Sequence, residues 1–385
     1  LQEVIKSVKI DLPLINLMDE ENPEVTALKL RTELSQKPFD LGMAPLFVAV
    51  LICLTPEHYL LSLKTHHIVA DGWSLGLILN EIGKLYSAKI GAATDNLAPP
   101  MQFRQYLALR QQEAQSPQMQ EHRDFWLQTY EGEIPVFELP TDFPRPAVKT
   151  YTGGRESKVI AHQLWRNLQT VARKNQATLF MTMFAAYTAF LRRISGHNDL
   201  VIGIPISGRQ FEGSEELVGF CSQFLPVRIQ INITASFVEH LRHTKETLVA
   251  AFKHQSHALE ELLAALQLQR DFSRSPLISV SFNMDPSLTL PEFEGLEVLL
   301  PPEPIGYTPF DLGFNFIEIN EALIVYCNYN TELFKSETIK QFLESFEILM
   351  ESLINNGNSL LSQLPLLTQS QEQKLLAELK GTTID

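Results

Sequence analysis

Two apolar runs near the start of the chain predict a β-hairpin. Residues 45–54 and 57–67 are strand-like runs rich in Val, Ile, Leu and Tyr, and a short turn at 55–57 joins them. After Gly72 the apolar positions change to the helical period and predict an amphipathic helix to about residue 85. These positions are Leu75, Ile78, Leu79, Ile82 and Leu85.

Helix-like and strand-like segments intermix along the rest of the chain. Helical periodicity is found at residues 119–130, 163–174 and 178–194, in a segment that begins at the cap residue Ser236, and at 337–353. Strand-like runs lie at residues 199–205, 224–231, 278–283, 310–319 and 322–329. Because helices and strands occur together in both halves, the pattern predicts a mixed α/β (α+β) fold.

The clearest break in this pattern lies between residues 134 and 154, where four prolines are followed by Gly153 and Gly154. A chain of 385 residues also exceeds one typical domain core. We therefore expect an N-terminal lobe at residues 1–145, a C-terminal lobe at 146–365, and a linker at 366–385. The sequence opens in strand-like residues, so we expect it to be part of a longer protein and to lack an N-terminal segment.

The composition excludes some classes of function. The formal net charge is −14, which argues against a surface for nucleic acid or for anionic membranes. The most apolar helical segment, 179–191, is too short to cross a bilayer. The three cysteines are far apart and suit a reducing compartment, so we expect a cytoplasmic protein without a disulfide framework. We also expect the isolated chain to be monomeric.

The densest polar cluster is His66-His67-Ile68-Val69-Ala70-Asp71-Gly72, at the end of the second strand-like run. Histidine is the side chain best suited to proton transfer near neutral pH. If the strand continues through the pair, one histidine is anchored on the packed side and the other faces the open side. Such diverging histidines are poor ligands of one ion, so we expect no metal site. The other eight histidines are scattered, and we expect them to be solvated helix residues.

The two residues that close this cluster favour a structural interpretation. Asp71 lies in a tight turn between a strand and a helix, where a buried charge usually has a basic partner. Gly72 provides backbone freedom or lets another group approach closely. An alternative is that Gly72-Trp73-Ser74-Leu75-Gly76 forms a Gly-x-Ser-x-Gly nucleophile elbow, with Ser74 as the nucleophile of an acyl hydrolase or thioesterase. The polar turn before it argues against this, because an elbow follows its strand directly.

The histidine cluster resembles the His-His-x-x-x-Asp-Gly signature of condensation domains of nonribosomal peptide synthetases. Several later segments are similar to this family's other sequence blocks, in the same order and at similar spacing, so the resemblance covers nearly the whole chain. These segments are 204–209, 217–220, 224–228, 254–255 with 259–262, 270–277 and 329–334. The intact histidine pair differs from heterocyclisation domains, and Leu75 after Ser74 differs from epimerisation domains.

The resemblance implies two chloramphenicol-acetyltransferase-like lobes in a V-shaped pseudo-dimer, with a tunnel between them. Donor and acceptor carrier proteins would insert their phosphopantetheine arms into this tunnel, so the domain binds no cofactor of its own. Attack of the acceptor aminoacyl amine on the donor acyl or peptidyl thioester would form an amide. The linker at 366–385 would lead to a downstream adenylation domain.

The same resemblance implies roles for individual residues. His67 would be the catalytic residue, either as proton acceptor or as the group that positions the amine and stabilises the tetrahedral intermediate. His66 and Asp71 would shape the loop, and Gly72 would line the tunnel. Trp73 and Ser74 are further candidates for the tunnel lining. A catalytically inactive scaffold that only docks carrier proteins is a second alternative.

One departure from the family concerns Asp71. Relatives begin with an Arg-His-Glu-x-Leu-Arg block, and an arginine from that block commonly pairs with the motif aspartate. The present sequence has no such block. We therefore expect that Asp71 lacks its usual partner, and that the chain is poorly active and less stable than a longer one.

Overall fold

The computed structural model describes residues 2–91, 97–257, 259–285, 290–300, 305–319 and 322–379. The chain forms two compact units that are not continuous in sequence. The first unit comprises Leu1–Gln112, Ser207–Ser222 and Leu290–Gly306, and the second comprises Glu113–Ile206, Gln223–Thr289 and Tyr307–Asp385. The expected boundary between residues 145 and 146 lies within the second unit. It stays a prediction, since compactness alone does not define a lobe that folds by itself.

The first unit is built on a small sheet of three strands, β1 (Leu14–Asn16), β2 (Phe47–Thr55) and β3 (His58–Thr65). Strand β2 lies in the middle, parallel to β1 and antiparallel to β3, which confirms the predicted hairpin. Its alternate residues Val50, Ile52 and Leu54 pack into a small core with Leu17 and Ala27. The helices are α1 (Pro23–Gln36), the predicted α2 (Gly72–Lys89), and α3 (Phe103–Ala114), which begins in this unit.

The second unit contains a mixed sheet of six strands. They are β4 (Gly153–Ile160), β5 (Asp199–Ile206), β6 (Gln223–Gln230), β7 (Val280–Asp285), β8 (Leu312–Ile319) and β9 (Ala322–Asn330), in the spatial order β4-β9-β8-β7-β5-β6. Strands β5, β7 and β8 run parallel, and the other pairs are antiparallel. The helices are α4 (Pro117–Thr129), α5 (His162–Lys174), α6 (Leu179–Ser195), α7 (Phe237–Lys253), α8 (Leu259–Leu266), α9 (Ser336–Asn355) and α10 (Gln369–Leu379).

Helix α6 shows how local sequence sets an element of this unit. The Thr178 hydroxyl caps its first turn by accepting a hydrogen bond from the Met181 amide, and Gly196 ends it in the left-handed conformation. Most side chains between these caps are apolar, and residues 182–191 are all buried. Within the described ranges, however, no helix is long and apolar enough to cross a membrane.

Gly153 and Gly154, which follow the proline-rich break, lie inside β4. A Cβ at Gly154 would lie 2.6 Å from Tyr329 Cζ on β9, so this strand needs glycine for close packing and not for a break. The expectation that the scattered histidines are solvated is wrong for His240, His254 and His257, which are 3%, 6% and 7% exposed. The Nε2 atom of His240 lies 2.8 Å from the Thr188 hydroxyl oxygen.

Candidate active site

The histidine pair lies in the turn after β3, because the strand ends at Thr65. The argument from strand alternation therefore does not apply, yet the two side chains have different environments. His66 is half-buried and anchored. Its Nδ1 accepts a hydrogen bond from the Ile68 amide at 3.1 Å, and its ring lies edge-on to Phe39 with 6.1 Å between the ring centres.

His67 is the exposed member of the pair. Its ring makes an edge-on contact with Phe220, with the ring centres 6.0 Å apart and an angle of 70° between the ring planes. An exposed imidazole that is free of the packed sheet can exchange a proton with a substrate. The geometry thus distinguishes an anchored His66 from an accessible His67.

Asp71 is the N-cap of α2, and its Oδ1 accepts a hydrogen bond from the Ser74 amide at 2.9 Å. Gly72 follows as the first residue of that helix. A Cβ at Gly72 would meet no atom within 4 Å, and its φ is not in the left-handed region. The expectation that Gly72 provides backbone freedom is therefore wrong, while its predicted place in a tunnel lining stays a prediction.

Asp71 has a partner in this chain. Arg209 Nη1 donates to Oδ2 at 2.8 Å and Nη2 donates to Oδ1 at 2.9 Å, so the pair is bidentate. Both side chains are almost fully buried. The arginine that pairs with Asp71 therefore comes from the segment at 207–222, and the expected loss of stability and activity can no longer be attributed to an unpaired Asp71.

Further hydrogen bonds surround this ion pair. The amides of Cys221 and Ser222 both donate to Asp71 Oδ2 at 3.1 Å. Arg209 Nη2 also donates to the carbonyl oxygens of Leu217 and Gly219, at 3.1 and 3.3 Å. Such additional bonds offset the cost of burying an ion pair. Here they satisfy the carboxylate oxygens of Asp71 and both terminal nitrogens of Arg209, whereas the buried Arg209 Nε has no hydrogen-bond partner among the described residues.

The electrostatics of this network fix the charge of Asp71. Burial raises the pKa of its carboxyl group, but hydrogen bonds from Arg209 and Ser74 outweigh this effect and lower the pKa to about 2. Asp71 is therefore an anion at neutral pH and cannot donate a proton. The predicted structural role of Asp71 agrees with this arrangement.

Ser74 is part of the same buried network and is 0% exposed. Its Oγ lies 2.8 Å from Asp71 Oδ1 and 2.9 Å from the Gly219 oxygen, and it accepts hydrogen bonds from the Gly219 amide and Arg209 Nη2, both at 3.0 Å. Across the part of the chain that the structure describes, no histidine hydrogen-bonds to it. The expectation that Ser74 lines a tunnel is therefore wrong, and the nucleophile-elbow geometry is not present.

Trp73 connects the start of α2 to the segment at 207–222. Its half-exposed indole donates through Nε1 to the Glu215 carbonyl oxygen at 2.8 Å, and the Arg209 guanidinium lies over its ring at 5.8 Å. These contacts account for the position of its ring. Its predicted place in a tunnel lining stays a prediction.

The family model described as Condensation domain matches residues 1–376. The chain belongs to the condensation-domain family. It is 34% identical over 350 residues to tyrocidine synthase 3 of Brevibacillus parabrevis, a match that covers 91% of this chain and 5% of that protein. It is also 32% identical over 353 residues to bacitracin synthase 3 of Bacillus licheniformis, again covering 91% of this chain and 5% of the relative. This condensation domain thus spans a small part of these curated relatives.

A solved structure with a similar fold is the first condensation domain of the calcium-dependent antibiotic synthetase in complex with a substrate analogue. It has a TM-score of 0.79 and 21% sequence identity, and the match covers 93% of this chain and 78% of that one. This likeness confirms the predicted mixed α/β, chloramphenicol-acetyltransferase-like fold.

The segments at 204–209 and 217–220 resemble blocks of the family, but the sequence did not predict that their residues surround Asp71, because contacts between distant parts of a chain leave no local pattern. Gly208 has φ +66°, and a Cβ there would lie 2.0 Å from the Cys221 oxygen, so only glycine fits. The sequence does mark this segment as a loop, since Ser207-Gly208-Arg209 follows a strand-like run and a second glycine follows at Gly219.

In the described segments, no group of three or more His, Cys, Asp or Glu side chains could hold a metal ion.

Proposed function

We propose that this condensation domain joins a donor acyl or peptidyl group to an acceptor amino acid through an amide bond, with both substrates held as thioesters on carrier proteins. The observation that carries the proposal is the family match over residues 1–376, together with an intact histidine pair whose second member is accessible. In this reaction the acceptor nitrogen attacks the donor carbonyl carbon. The carbon–sulfur bond then breaks, the amine loses a proton, and the carrier thiol gains one.

His67 is the proposed catalytic residue. Its exposed imidazole can accept the proton that the attacking amine loses, or it can hold the amine and the oxyanion of the tetrahedral intermediate by hydrogen bonds. Supporting roles go to His66, which is anchored by Ile68 and Phe39, and to Asp71, which is held as an anion by Arg209. These contacts anchor the residues at both ends of the turn that carries His67.

The proposed partners follow from the same reaction. Donor and acceptor carrier proteins bring the substrates on phosphopantetheine arms, so these arms belong to the substrates. A downstream adenylation domain would supply the acceptor amino acid. The relatives named as synthases support such a setting, since the match to this chain covers only 5% of the length of each.

The test uses the domain with donor- and acceptor-loaded carrier proteins, and mass spectrometry to follow the product. His67→Ala should lower the rate of amide formation by about 100-fold or more, the range expected when a proton-transfer group is removed. His58→Ala is the matched control, because His58 is an exposed histidine at the start of β3 in the same hairpin, and it should retain the wild-type rate.

Three outcomes would contradict the proposal in different ways. Amide formation that is unchanged in His67→Ala would remove the catalytic assignment. Absence of amide from the wild type, with carriers still bound, would favour a docking scaffold. Release of the free donor acid, lost in Ser74→Ala but kept in His67→Ala, would favour a hydrolase in spite of the burial of Ser74.

A further inference from the structure

The buried network around Asp71 fixes the backbone on the N-terminal side of Phe220. The Gly219 amide donates to Ser74 Oγ at 3.0 Å, and the Gly219 carbonyl oxygen accepts from Arg209 Nη2 at 3.3 Å. A Cβ at Gly219 would lie 2.5 Å from Phe103 Cδ2, so this glycine is also tightly packed. The peptide that precedes Phe220 therefore has little freedom to move.

The same network fixes the backbone on the C-terminal side of Phe220. The amides of Cys221 and Ser222 each donate to Asp71 Oδ2 at 3.1 Å. Because Asp71 is ionised and buried, these charge-assisted bonds are stronger than ordinary backbone bonds. Phe220 is thus held from both sides by one buried ion pair.

The Phe220 side chain does not join this buried network. It is 46% exposed, although Gly219 and Cys221 on either side of it are buried. Within the described part of the chain, the aromatic contact of its ring is with the imidazole of His67. An edge-on arrangement with 6.0 Å between ring centres is a favourable geometry for two aromatic rings.

We propose that Phe220 is a positioning residue for His67. This inference rests on the proposed function, because it assigns Phe220 a part in the same reaction. An exposed imidazole in a turn samples several rotamers, and a rate falls when a reacting group is not held in its productive orientation. The phenyl ring limits rotation of the imidazole, and the network around Asp71 and Arg209 fixes the backbone from which the phenyl ring extends. The buried network thereby acts on His67 through Phe220.

The kinetic test compares Phe220→Ala, Phe220→Tyr and Phe272→Ala in the amide-forming assay with loaded carriers. Phe272 is the matched control, since it is a phenylalanine that is 71% exposed and belongs to the second unit. Phe220→Ala should lower kcat about tenfold and change KM by less than about twofold, because positioning affects the reacting geometry more than binding. Phe220→Tyr should restore the wild-type kcat, and Phe272→Ala should not differ from wild type.

A second measurement does not depend on activity. NMR spectra of the protein with ¹³C-labelled histidine identify the His67 ring signals, since they disappear in His67→Ala. Loss of the neighbouring phenyl ring in Phe220→Ala should shift these signals and broaden them as the imidazole samples more rotamers. Phe272→Ala should leave them in place, and thermal unfolding checks that each variant is folded.

The outcomes separate this proposal from the function on which it rests. If Phe220→Ala leaves kcat unchanged while His67→Ala abolishes amide formation, the positioning role is overturned and the function stands. If the His67 ring signals do not move in Phe220→Ala, the contact itself is refuted, whatever the activity. If the wild type forms no amide, the proposed function fails, and a shift of the ring signals would then show a contact without a catalytic role.

Discussion

At the scale of single residues, the motif predicted one half of the ion pair between Asp71 and Arg209 and not the other. The position of Asp71 between a strand and a helix predicted a buried carboxylate with a basic partner. It could not identify the partner, because Arg209 lies 138 residues away along the chain. Only the folded chain brings the segment at 207–222 to the start of α2.

Removal of this partner should destabilise the first unit. We expect Arg209→Ala to lower its free energy of unfolding by about 3–5 kcal/mol, because the substitution leaves Asp71 as an unpaired buried charge. Arg209→Lys should recover only part of the loss, since an ammonium group cannot form the bidentate pair. The effect is measured by urea unfolding, which is followed by the fluorescence of Trp73. Trp126 and Trp165 are replaced by Phe in every variant, so that the signal comes from Trp73 alone.

A matched control in the first unit is the ion pair between Lys9 and Asp11, whose side chains are 90% and 80% exposed. Lys9→Ala should leave the free energy of unfolding close to that of wild type, because ion pairs between exposed side chains contribute little. Equal effects of Arg209→Ala and Lys9→Ala would show that the buried pair does not stabilise the fold.

At the scale of helices and strands, the elements that the sequence predicted correctly carry their own local signals. Helix α7 begins with a capping box in which Ser236 and Glu239 bond to each other's backbone amides, and α6 has caps at both ends. The missed strand β1 lacks such signals. Strand β1 has only three residues and is defined by its pairing with β2. A local sequence pattern cannot predict such a pairing.

The contact between α6 and α7 predicts a dependence of stability on pH. Burial, with a smaller contribution from the neighbouring His243, lowers the pKa of His240 to about 4, below the ordinary value of 6.5. The folded state therefore binds fewer protons than the unfolded state between these two values. This stability is fully present above about pH 6.5 and falls as the pH drops to about 4, by about 3 kcal/mol in total.

The measurement is urea unfolding of the second unit between pH 7 and pH 4.5. His240→Gln keeps a polar group near Thr188 and cannot titrate, so its stability should fall less steeply with decreasing pH than that of the wild type. His162→Gln, which replaces an exposed histidine of the second unit, should keep the wild-type slope. Identical slopes for His240→Gln and wild type would contradict the assignment.

At the scale of the whole molecule, the sequence predicted a mixed α/β fold and two parts, and the structure contains two compact units with separate sheets. It did not predict that the segments at 207–222 and 290–306 belong with the first unit. Proline and glycine content reveals where a chain bends, as at residues 134–154. It does not reveal where a later segment packs, because that depends on partners far away in sequence.

The two units also differ in their cores, which predicts different stabilities. The described core of the first unit consists of a small cluster around Ile52 and another around Tyr106. That of the second unit is one large cluster with fully buried aromatic residues such as Phe184, Phe282 and Phe346. Because buried apolar area is the main source of stability, the first unit should open at a lower free energy than the second.

Native-state hydrogen exchange can compare the central strands of the two sheets, β2 and β8, which both have a neighbour on each side. Amides of β2 should exchange at least about tenfold faster than those of β8, a difference of about 1.4 kcal/mol in opening free energy. As the urea concentration increases, the opening free energy of the β2 amides should decrease at lower urea concentrations than that of the β8 amides. Convergence of both strands on a single opening free energy would instead show that the two units unfold together, and the effect of Arg209→Ala would then extend to β8.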